Sequence, residues 1–407
     1  MLCAVHGAAE ALVVRAAEAS TGRLVVTRRC ADLTELLAAA EAGLGVVAVV
    51  SAELERLDRE AVHALHRSGL QVVALADRAR RWSADRIQSC GADLVVASPT
   101  DLAGASTLLD DAVALVDAVA TRHPAAVAPV EERTASDRRQ GRLLVVWGPT
   151  GAPGRTTVAV NLAAELAGRG APTLLVDADT YGGSVAQAVG LLDEAPGLAA
   201  AARSGAQGTL DLRTLARLAP LLGNRLRVLT GIARAERWPE LPASALDAVW
   251  SVGRDLADWV VVDTGFCLEQ DEELMYDTRA PQRNGATLSA LAAADAVVVV
   301  GAGDPVGLAR LVRGLSDLAE LGLAVAPVVV VNRVRASAAG PRAEVAVQDA
   351  LARYAGVRAA VTLPEDRPAA DGALLTGRTL QESAPASALR RGITALANRI
   401  SASVPVG

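Results

Sequence analysis

Short aliphatic runs alternate along the chain with longer stretches in which Ala and Leu recur at helical spacing. This alternation predicts βαβ units and a parallel sheet. In the first 120 residues we expect strands at 24–27, 46–50, 72–75 and 94–96, and helices at 31–41, 59–68, 84–90 and 102–119.

The same alternation continues after residue 142 with longer runs of Val, which are typical of strands buried on both faces of a sheet. Residues 121–141 combine Pro, Ser, Thr and clustered charges without apolar periodicity, which predicts a linker. We therefore predict an α/β protein of two doubly wound domains, 1–120 and 142–402. The strands expected in the second domain are 143–147, 173–176, 227–229, 259–262, 296–300, 328–331 and 359–363.

The amino-acid composition limits both the kind of core and the classes of function that this chain can have. Of the 407 residues, 51% are apolar and only 2% aromatic, so the cores must consist of Ala, Val and Leu. The net charge of −6 does not favour a protein that coats DNA, although a local basic patch would still be compatible with DNA contact. Lys is absent from the sequence, so every fixed positive side chain is Arg.

Neither a disulfide framework nor a zinc site is indicated, because the four Cys residues stand alone and form no CxxC pair. The first residues lack the basic start and apolar stretch of a signal peptide, and no uncharged apolar run reaches about 18 residues. We expect a cytoplasmic protein.

One loop carries the strongest chemical signal. The sequence GPTGAPGRTT, residues 148–157, follows a predicted strand and precedes a helical stretch. This is the setting of a P-loop, in which loop amides and the helix N-terminus direct N–H donors at phosphate. Gly151 and Gly154 allow close approach of the backbone. Thr156 is placed to offer its hydroxyl to Mg²⁺, and Thr157 adds a second hydroxyl.

The loop is similar to the deviant P-loop of the ParA/MinD family of ATPases, normally KGGxGKTT. In this alignment Thr150 replaces the signature Lys, Ala152 the second Gly, and Arg155 the phosphate-binding Lys. Two interpretations stay open: the site is degenerate, or Arg155 is the cation that a Lys-free chain uses. The resemblance implies an ATP site with a catalytic role for Arg155, formed by Gly151, Ala152, Pro153, Gly154, Arg155, Thr156 and Thr157.

Three aspartates follow predicted strands at one edge of the sheet. Asp177 and Asp179 come after the strand at 173–176, and Asp263 comes after the strand at 259–262. Carboxylates at strand ends face the ligand crevice of an α/β sheet, and a bound Mg²⁺ would compensate their charge. The family resemblance implies finer roles: Asp177 and Asp263 join Thr156 around Mg²⁺, and the catalytic Asp179 orients the attacking water.

Two further segments follow buried strands. The resemblance implies that Asn332 contacts the adenine ring, since an amide can donate and accept as the adenine edge requires. Arg333 would stack on the base, or is simply solvated. Residues 265–288 occupy the family's switch II position and are longer than expected there, which fits either a partner-binding surface or lid, or a solvated insertion.

The first domain resembles a response-regulator receiver in length and order of elements. Ser51 stands where the phosphoacceptor Asp would be, and Ser98-Pro99 stands where Lys-Pro would be. Without a carboxylate at Ser51 there is no acyl-phosphate nucleophile. We therefore expect a pseudo-receiver used for docking, with a flavodoxin-like fold.

A pseudo-receiver followed by a ParA/MinD-like P-loop NTPase domain resembles the TadZ/CpaE group. The resemblance implies a homodimer formed around ATP, a protein partner in the Flp pilus or another cell-positioning system, and at most peripheral membrane association, at the inner face of the membrane or the pole. A septum-site or DNA-partitioning ATPase is the alternative in the same class, and a nucleotide-binding scaffold without turnover is the alternative in another. Near the C-terminus we expect a core-packing helix, from the spacing of Leu389, Ile393, Leu396 and Ile400.

Overall fold

The computed structural model describes residues 1–20, 24–77, 79–120, 140–151, 153–191, 196–223, 225–270 and 282–403. The chain divides into two compact units, Met1–Ala135 with Ser204–Thr209, and Ser136–Arg203 with Leu210–Gly407. Residues 121–139 of the predicted linker, Ala152, and residues 271–281 of the long segment at 265–288 lie outside the described residues.

The smaller unit contains a five-stranded parallel sheet. Its strands are β1 (Leu2–Ala4), β2 (Arg28–Arg29), β3 (Val47–Ser51), β4 (Gln71–Ala76) and β5 (Leu94–Ala97). They pair in the order β2-β1-β3-β4-β5, which is the doubly wound order of flavodoxin-like folds. Its helices are α1 (Ala8–Ala19), α2 (Leu33–Glu41), α3 (Arg59–Arg67), α4 (Arg81–Ser89) and α5 (Leu102–Ala120).

Alternate residues of the strands supply two cores, one on each face of this sheet. Val47 and Val49 of β3 belong to one buried cluster, and Ala48 and Val50 belong to the other. This is the period of two expected for a strand covered on both sides. Helices α2 and α3 begin after Asp32 and Asp58, whose carboxylates accept hydrogen bonds from first-turn amides.

One predicted strand of this unit is misplaced. Residues 24–27 are not a strand, and β2 is the pair Arg28–Arg29, while β1 and α1 were not among the predicted ranges. Thr27 still donates its backbone N–H to the carbonyl of Met1, and Leu24 is buried in the core. Leu24 and Val26 thus pack on the core beside the sheet while Val25 is exposed, because tertiary packing and not β-propensity decides the pairing.

The larger unit contains an eight-stranded sheet. Its strands are β6 (Arg142–Trp147), β7 (Thr173–Ala178), β8 (Leu221–Leu222), β9 (Leu226–Leu229), β10 (Trp259–Thr264), β11 (Ala296–Ala302), β12 (Val328–Val334) and β13 (Val361–Pro364). Their order is β13-β12-β11-β6-β10-β7-β9-β8, and the pairing is parallel except between β8 and β9. The predicted α/β class with mostly parallel sheets is confirmed; the short antiparallel edge strand β8 was not expected.

Helices cover both faces of this sheet. They are α6 (Arg155–Gly168), α7 (Val185–Ala188), α8 (Gly197–Ala206), α9 (Leu212–Leu218), α10 (Ala243–Leu256), α11 (Gly285–Ala292), α12 (Pro305–Glu320), α13 (Ala336–Ala339), α14 (Ala343–Ala355), α15 (Arg367–Thr376), α16 (Leu380–Ser383) and α17 (Ala388–Ser403), with a 3-10 helix at Ala235–Glu240.

Helix α6 is central to this unit, since its residues from Val158 to Leu166 are all buried. The last helix, α17, packs on α6 and β13. Its buried side chains lie in the same core cluster as α6, as the core-packing interpretation predicts; they include Leu389, Ile393, Leu396 and Ile400. Among the residues described, no helix has the length and apolar character needed to cross a bilayer.

Candidate functional site

The sheet topology brings several predicted site residues to one crevice. Strand β6 lies between β10 and β11, and the chain leaves β6 through the loop 148–154 to enter α6. Within the sheet, Asp263 of β10 is in register with Asp177 of β7. Paired residues of neighbouring parallel strands point to the same face, so the two carboxylates lie side by side at the carboxyl ends of the strands.

Two glycines with positive φ shape the backbone of the loop. Gly151 and Gly154 adopt φ values of +107° and +94°, a region that L side chains rarely occupy. Gly154 directly precedes α6, and no side chain caps that helix end. The first-turn amides of α6 are therefore not used by a cap, which fits the binding of phosphate at this N-terminus.

Arg155 is the first residue of α6, and its guanidinium is turned back onto the loop. Its Nη1 donates to the carbonyls of Gly148 (3.3 Å) and Pro149 (3.2 Å), and its Nε donates to the carbonyl of Thr264 (3.2 Å). Its Nη2 lies 3.5 Å from Oδ2 of Asp179. Both side chains of this ion pair are almost fully buried, so Arg155 and Asp179 neutralise each other here.

Beneath the loop, Thr156 and Asp263 are in direct contact. The hydroxyl of Thr156 donates to Oδ2 of Asp263 at 2.6 Å, while Oδ1 of Asp263 is buried and accepts no hydrogen bond from the described residues. Burial and the negative charge of Asp177 raise the pKa of Asp263 well above that of an ordinary aspartate. At this position either a proton or a bound cation would compensate the negative charge of Asp263.

The donor set fits Mg²⁺ bound together with phosphate. Mg²⁺ usually keeps several waters and takes only one or two carboxylates, with phosphate oxygens completing its shell. Thr156 and Asp263 would hold the metal, which when bound would neutralise phosphate charge. In the described part of the chain, no three acidic, His or Cys side chains are grouped so that they could hold a metal ion.

The other two aspartates are engaged by the backbone. Oδ1 of Asp177 accepts from the N–H of Asp179 (3.2 Å), and its Oδ2 accepts from the N–H of Val185 (3.0 Å). Oδ1 of Asp179 accepts from the N–H groups of Tyr181 and Gly182. Both residues lie at the crevice, but their oxygens already have partners. A direct role of Asp177 at Mg²⁺, and of Asp179 at a water, stays a prediction.

Asn332 contacts the loop from β12. Its Nδ2 donates to the carbonyl of Pro153 (2.9 Å), and its Oδ1 accepts from the N–H of Arg333 (2.9 Å). The pairing of β12 with β13 shifts register here, and exposed Arg333 has a φ of +58°. Such a bulge re-aims a side chain, here that of Asn332, towards the loop. The amide of Asn332 thus holds the backbone of Pro153 in place. Contacts of Asn332 and Arg333 with adenine stay predictions.

Two further residues of the predicted nucleotide site, Pro153 and Thr157, lie in the loop and in the first turn of α6. Pro153 is buried, and Thr157 lies half-buried in the first turn of α6. Ala152 lies outside the described residues.

A cluster around Tyr181 was missed by the sequence analysis. The ring of Tyr181 packs on Phe266 (4.8 Å between centroids), and the guanidinium of Arg283 lies 4.2 Å from its centre. Its hydroxyl donates to Oδ1 of Asn284, and burial raises the pKa of Tyr181 to about 12. Residues after Asp179 are thereby joined to the segment after Asp263. Aromatic residues make up only 2% of this chain, so the occurrence of Tyr181 and Phe266 shortly after the two strand-end aspartates was the signal in the sequence that could have predicted this contact.

No protein-family model and no curated protein sequence matches this chain. Among solved structures, a ParA family ATPase from Chlorobium tepidum TLS aligns over 63% of this chain and 98% of its own, with 17% identity and a TM-score of 0.52. The cell division ATPase MinD of Pyrococcus furiosus aligns over 65% and 100%, with 21% identity and a TM-score of 0.51.

The septum site-determining protein MinD from Pyrococcus horikoshii OT3, solved with Mg-ADP, gives 19% identity, coverages of 65% and 98%, and a TM-score of 0.51. The smaller unit is only roughly a third of the chain, so alignments that cover 63% to 65% of the chain must include much of the larger unit. The larger unit has the fold of the ParA/MinD ATPases. In this ParA/MinD fold, the loop 148–154 connects the central strand β6 to α6.

The charge of Asp263 leads to a prediction about stability without metal. In EDTA, we expect Asp263→Asn to raise the unfolding midpoint, and to do so more at pH 8 than at pH 5. The folded-state pKa is raised above the unfolded value of 3.8, so wild-type stability falls as pH rises through the folded pKa, where a buried carboxyl ionises. Asn does not ionise.

Thermal and urea unfolding at both pH values measure this effect. The exposed Asp371 serves as control, since Asp371→Asn removes the same charge from water and should leave the midpoint unchanged. A variant at Asp263 that is no more stable than wild type would contradict the assignment of an unsatisfied buried charge.

Proposed function

We propose that this protein binds MgATP at the loop 148–157 and acts as a nucleotide-dependent switch of the ParA/MinD type. One observation carries the proposal: the hydroxyl of Thr156 donates to the carboxylate of Asp263, whose other oxygen is buried and has no partner among the described residues. A hydroxyl and an unpaired carboxylate directly behind a glycine loop are what a phosphate-bound Mg²⁺ requires.

The fold adds support from outside the chain. The Pyrococcus horikoshii protein of the same fold was solved as a complex with Mg-ADP. In this chain the left-handed Gly151 and Gly154 open the loop, and the uncapped start of α6 offers amide donors. Phosphate, metal and helix N-terminus would together place a triphosphate at this edge of the sheet.

We further propose a homodimer formed around ATP. A cavity of about 700 Å³ opens on the outer side of the loop and is lined by Pro149, Thr150, residues of 266–270 and part of α12. A second copy approaching this side would meet the loop and the segment that follows Asp263. Closure on ATP would change the surface presented to a protein partner.

For the biological role, we propose a localisation factor similar to the TadZ/CpaE group, with a pseudo-receiver as its first domain. Support comes from the β2-β1-β3-β4-β5 order and from Ser51 at the end of β3, where an acidic acceptor would be needed. A septum-site or partitioning role is equally compatible with the structural neighbours. ATP-dependent binding to plain duplex DNA would favour partitioning over pilus assembly.

A second candidate function is a scaffold that binds nucleotide without turnover. The ion pair between Arg155 and Asp179 favours it, because the loop cation and the carboxylate expected to orient water are bound to each other. Thr150, in place of the signature Lys, points the same way.

The metal assignment predicts the effect of removing one hydroxyl. Thr156→Val should weaken Mg²⁺-dependent ATP binding by about tenfold or more, since a hydroxyl ligand is lost and Asp263 loses its donor. Titration of a fluorescent ATP analogue with and without Mg²⁺ measures this. Thr376→Val, an exposed change on α15, is the matched control and should bind as wild type.

ATP affinity that is unchanged in Thr156→Val, or identical with Mg²⁺ and with EDTA, would contradict the MgATP proposal. Loss of binding in Thr376→Val as well would show that the assay reports folding.

A substitution at Arg155 distinguishes the nucleotide-dependent switch from the scaffold that binds nucleotide without turnover. We expect Arg155→Lys to lower ATP affinity and turnover, because a single ammonium cannot reach the loop carbonyls, Thr264 and Asp179 together as the planar guanidinium does. Turnover of ATP by both proteins measures this. A gain of turnover with Lys would instead support a degenerate site and the scaffold function.

A further inference from the structure

A second arginine lies on the loop, from an element that the family motif does not include. Arg310 of α12 extends over Gly151, and its Nη1 fills the space that a Cβ at Gly151 would occupy. The Cζ and Cδ of Arg310 lie 3.3 and 3.6 Å from that same position. The end of the Arg310 side chain is therefore in contact with the loop at Gly151, and the φ of +107° at Gly151 by itself favours glycine there.

Arg310 has no partner in the described part of the chain. It is half-buried, yet its guanidinium forms no hydrogen bond or ion pair with any residue that the structure describes. Arg313, one turn later, is exposed and donates from Nε to the carbonyl of Ala309 in its own helix. The half-buried guanidinium of Arg310 keeps N–H donors available at the loop, and an anion there would accept charge-assisted hydrogen bonds from them.

The other side chains at the loop do not supply a free positive charge, so the positive charge of Arg310 is not redundant there. Thr150 is neutral, and the guanidinium of Arg155 is tied to loop carbonyls and to Asp179. The buried carboxylates below the loop add negative charge next to the place where a triphosphate would lie. Among the described residues at the loop, Arg310 is thus the arginine with donors to spare.

We propose that Arg310 binds the phosphate chain of ATP held by the loop of its own chain, and so supplies the positive charge that Thr150 lacks. This inference rests on the proposed MgATP function. The fork of guanidinium donors matches two phosphate oxygens at once, and such charge-assisted bonds are among the strongest hydrogen bonds. Helix α12 would thereby sense whether nucleotide is present.

The test compares two arginines of one helix in the full-length protein. Arg310→Gln should weaken MgATP binding by about tenfold or more. Arg313→Gln removes the same charge one turn away and should bind as wild type. The salt dependence of the affinity is a second measurement: its slope should fall in Arg310→Gln and not in Arg313→Gln, since one phosphate contact is lost.

A second substitution distinguishes the loss of a positive charge from a disturbance of loop packing by Arg310→Gln. In the Arg310→Gln background, Thr150→Lys should restore most of the affinity, because it returns a cation to the same loop. Arg310→Gln that binds like Arg313→Gln, or that loses affinity with an unchanged salt slope and no rescue, would overturn this inference while leaving MgATP binding intact. Wild-type protein that does not bind MgATP would overturn the proposed function, and this inference with it.

Discussion

The hydrogen bond between Thr156 and Asp263 joins the first turn of α6 to the carboxyl end of β10. It exists because parallel pairing puts β10 beside β6, and the chain leaves β6 through a loop that turns back onto that strand end. The same register sets Asp177 beside Asp263. A buried carboxylate next to another, with one oxygen unpartnered, is stable only if a cation or a proton joins it. The remaining features of the crevice are arranged around that requirement.

The arginines divide the work around this acidic centre. Arg155 shapes the loop from within and neutralises Asp179, whereas Arg310 lies on the outside of the loop at Gly151. In a chain without Lys, the wide planar guanidinium has to serve where a compact ammonium is usual. One arginine is folded into the loop, and the other reaches the loop from a distant helix. Both arginines therefore place a positive charge at the loop 148–154.

Much of the fold followed from the pattern of aliphatic runs, because strands buried on both faces leave a strong signal. The Val runs at β10, β11 and β12 began at the predicted residues and ended two or three residues later than predicted. The pattern failed at β1 and β2, where two or three residues suffice for pairing, and at the edge strand β8. Such short strands are decided by their neighbours and not by their own composition.

The site was predicted in part, since the loop and the strand-end acids are local features. The distance between Thr156 and Asp263, which are 107 positions apart, comes only from the folded sheet. The bulge that turns Asn332 towards Pro153 and the reach of Arg310 to Gly151 also lack a local signature. In each case a side chain crosses from one element to another, which periodicity along the chain does not report.

A crystal structure of the full-length protein with Mg²⁺ and a non-hydrolysable ATP analogue tests the central claim most directly. The account predicts phosphate in the loop 148–154, Thr156 turned from Asp263 to the metal, and the unpartnered oxygen of Asp263 facing the metal or one of its waters. A nucleotide bound elsewhere, or a metal away from this pair while the bond from Thr156 to Asp263 stays in place, would contradict it.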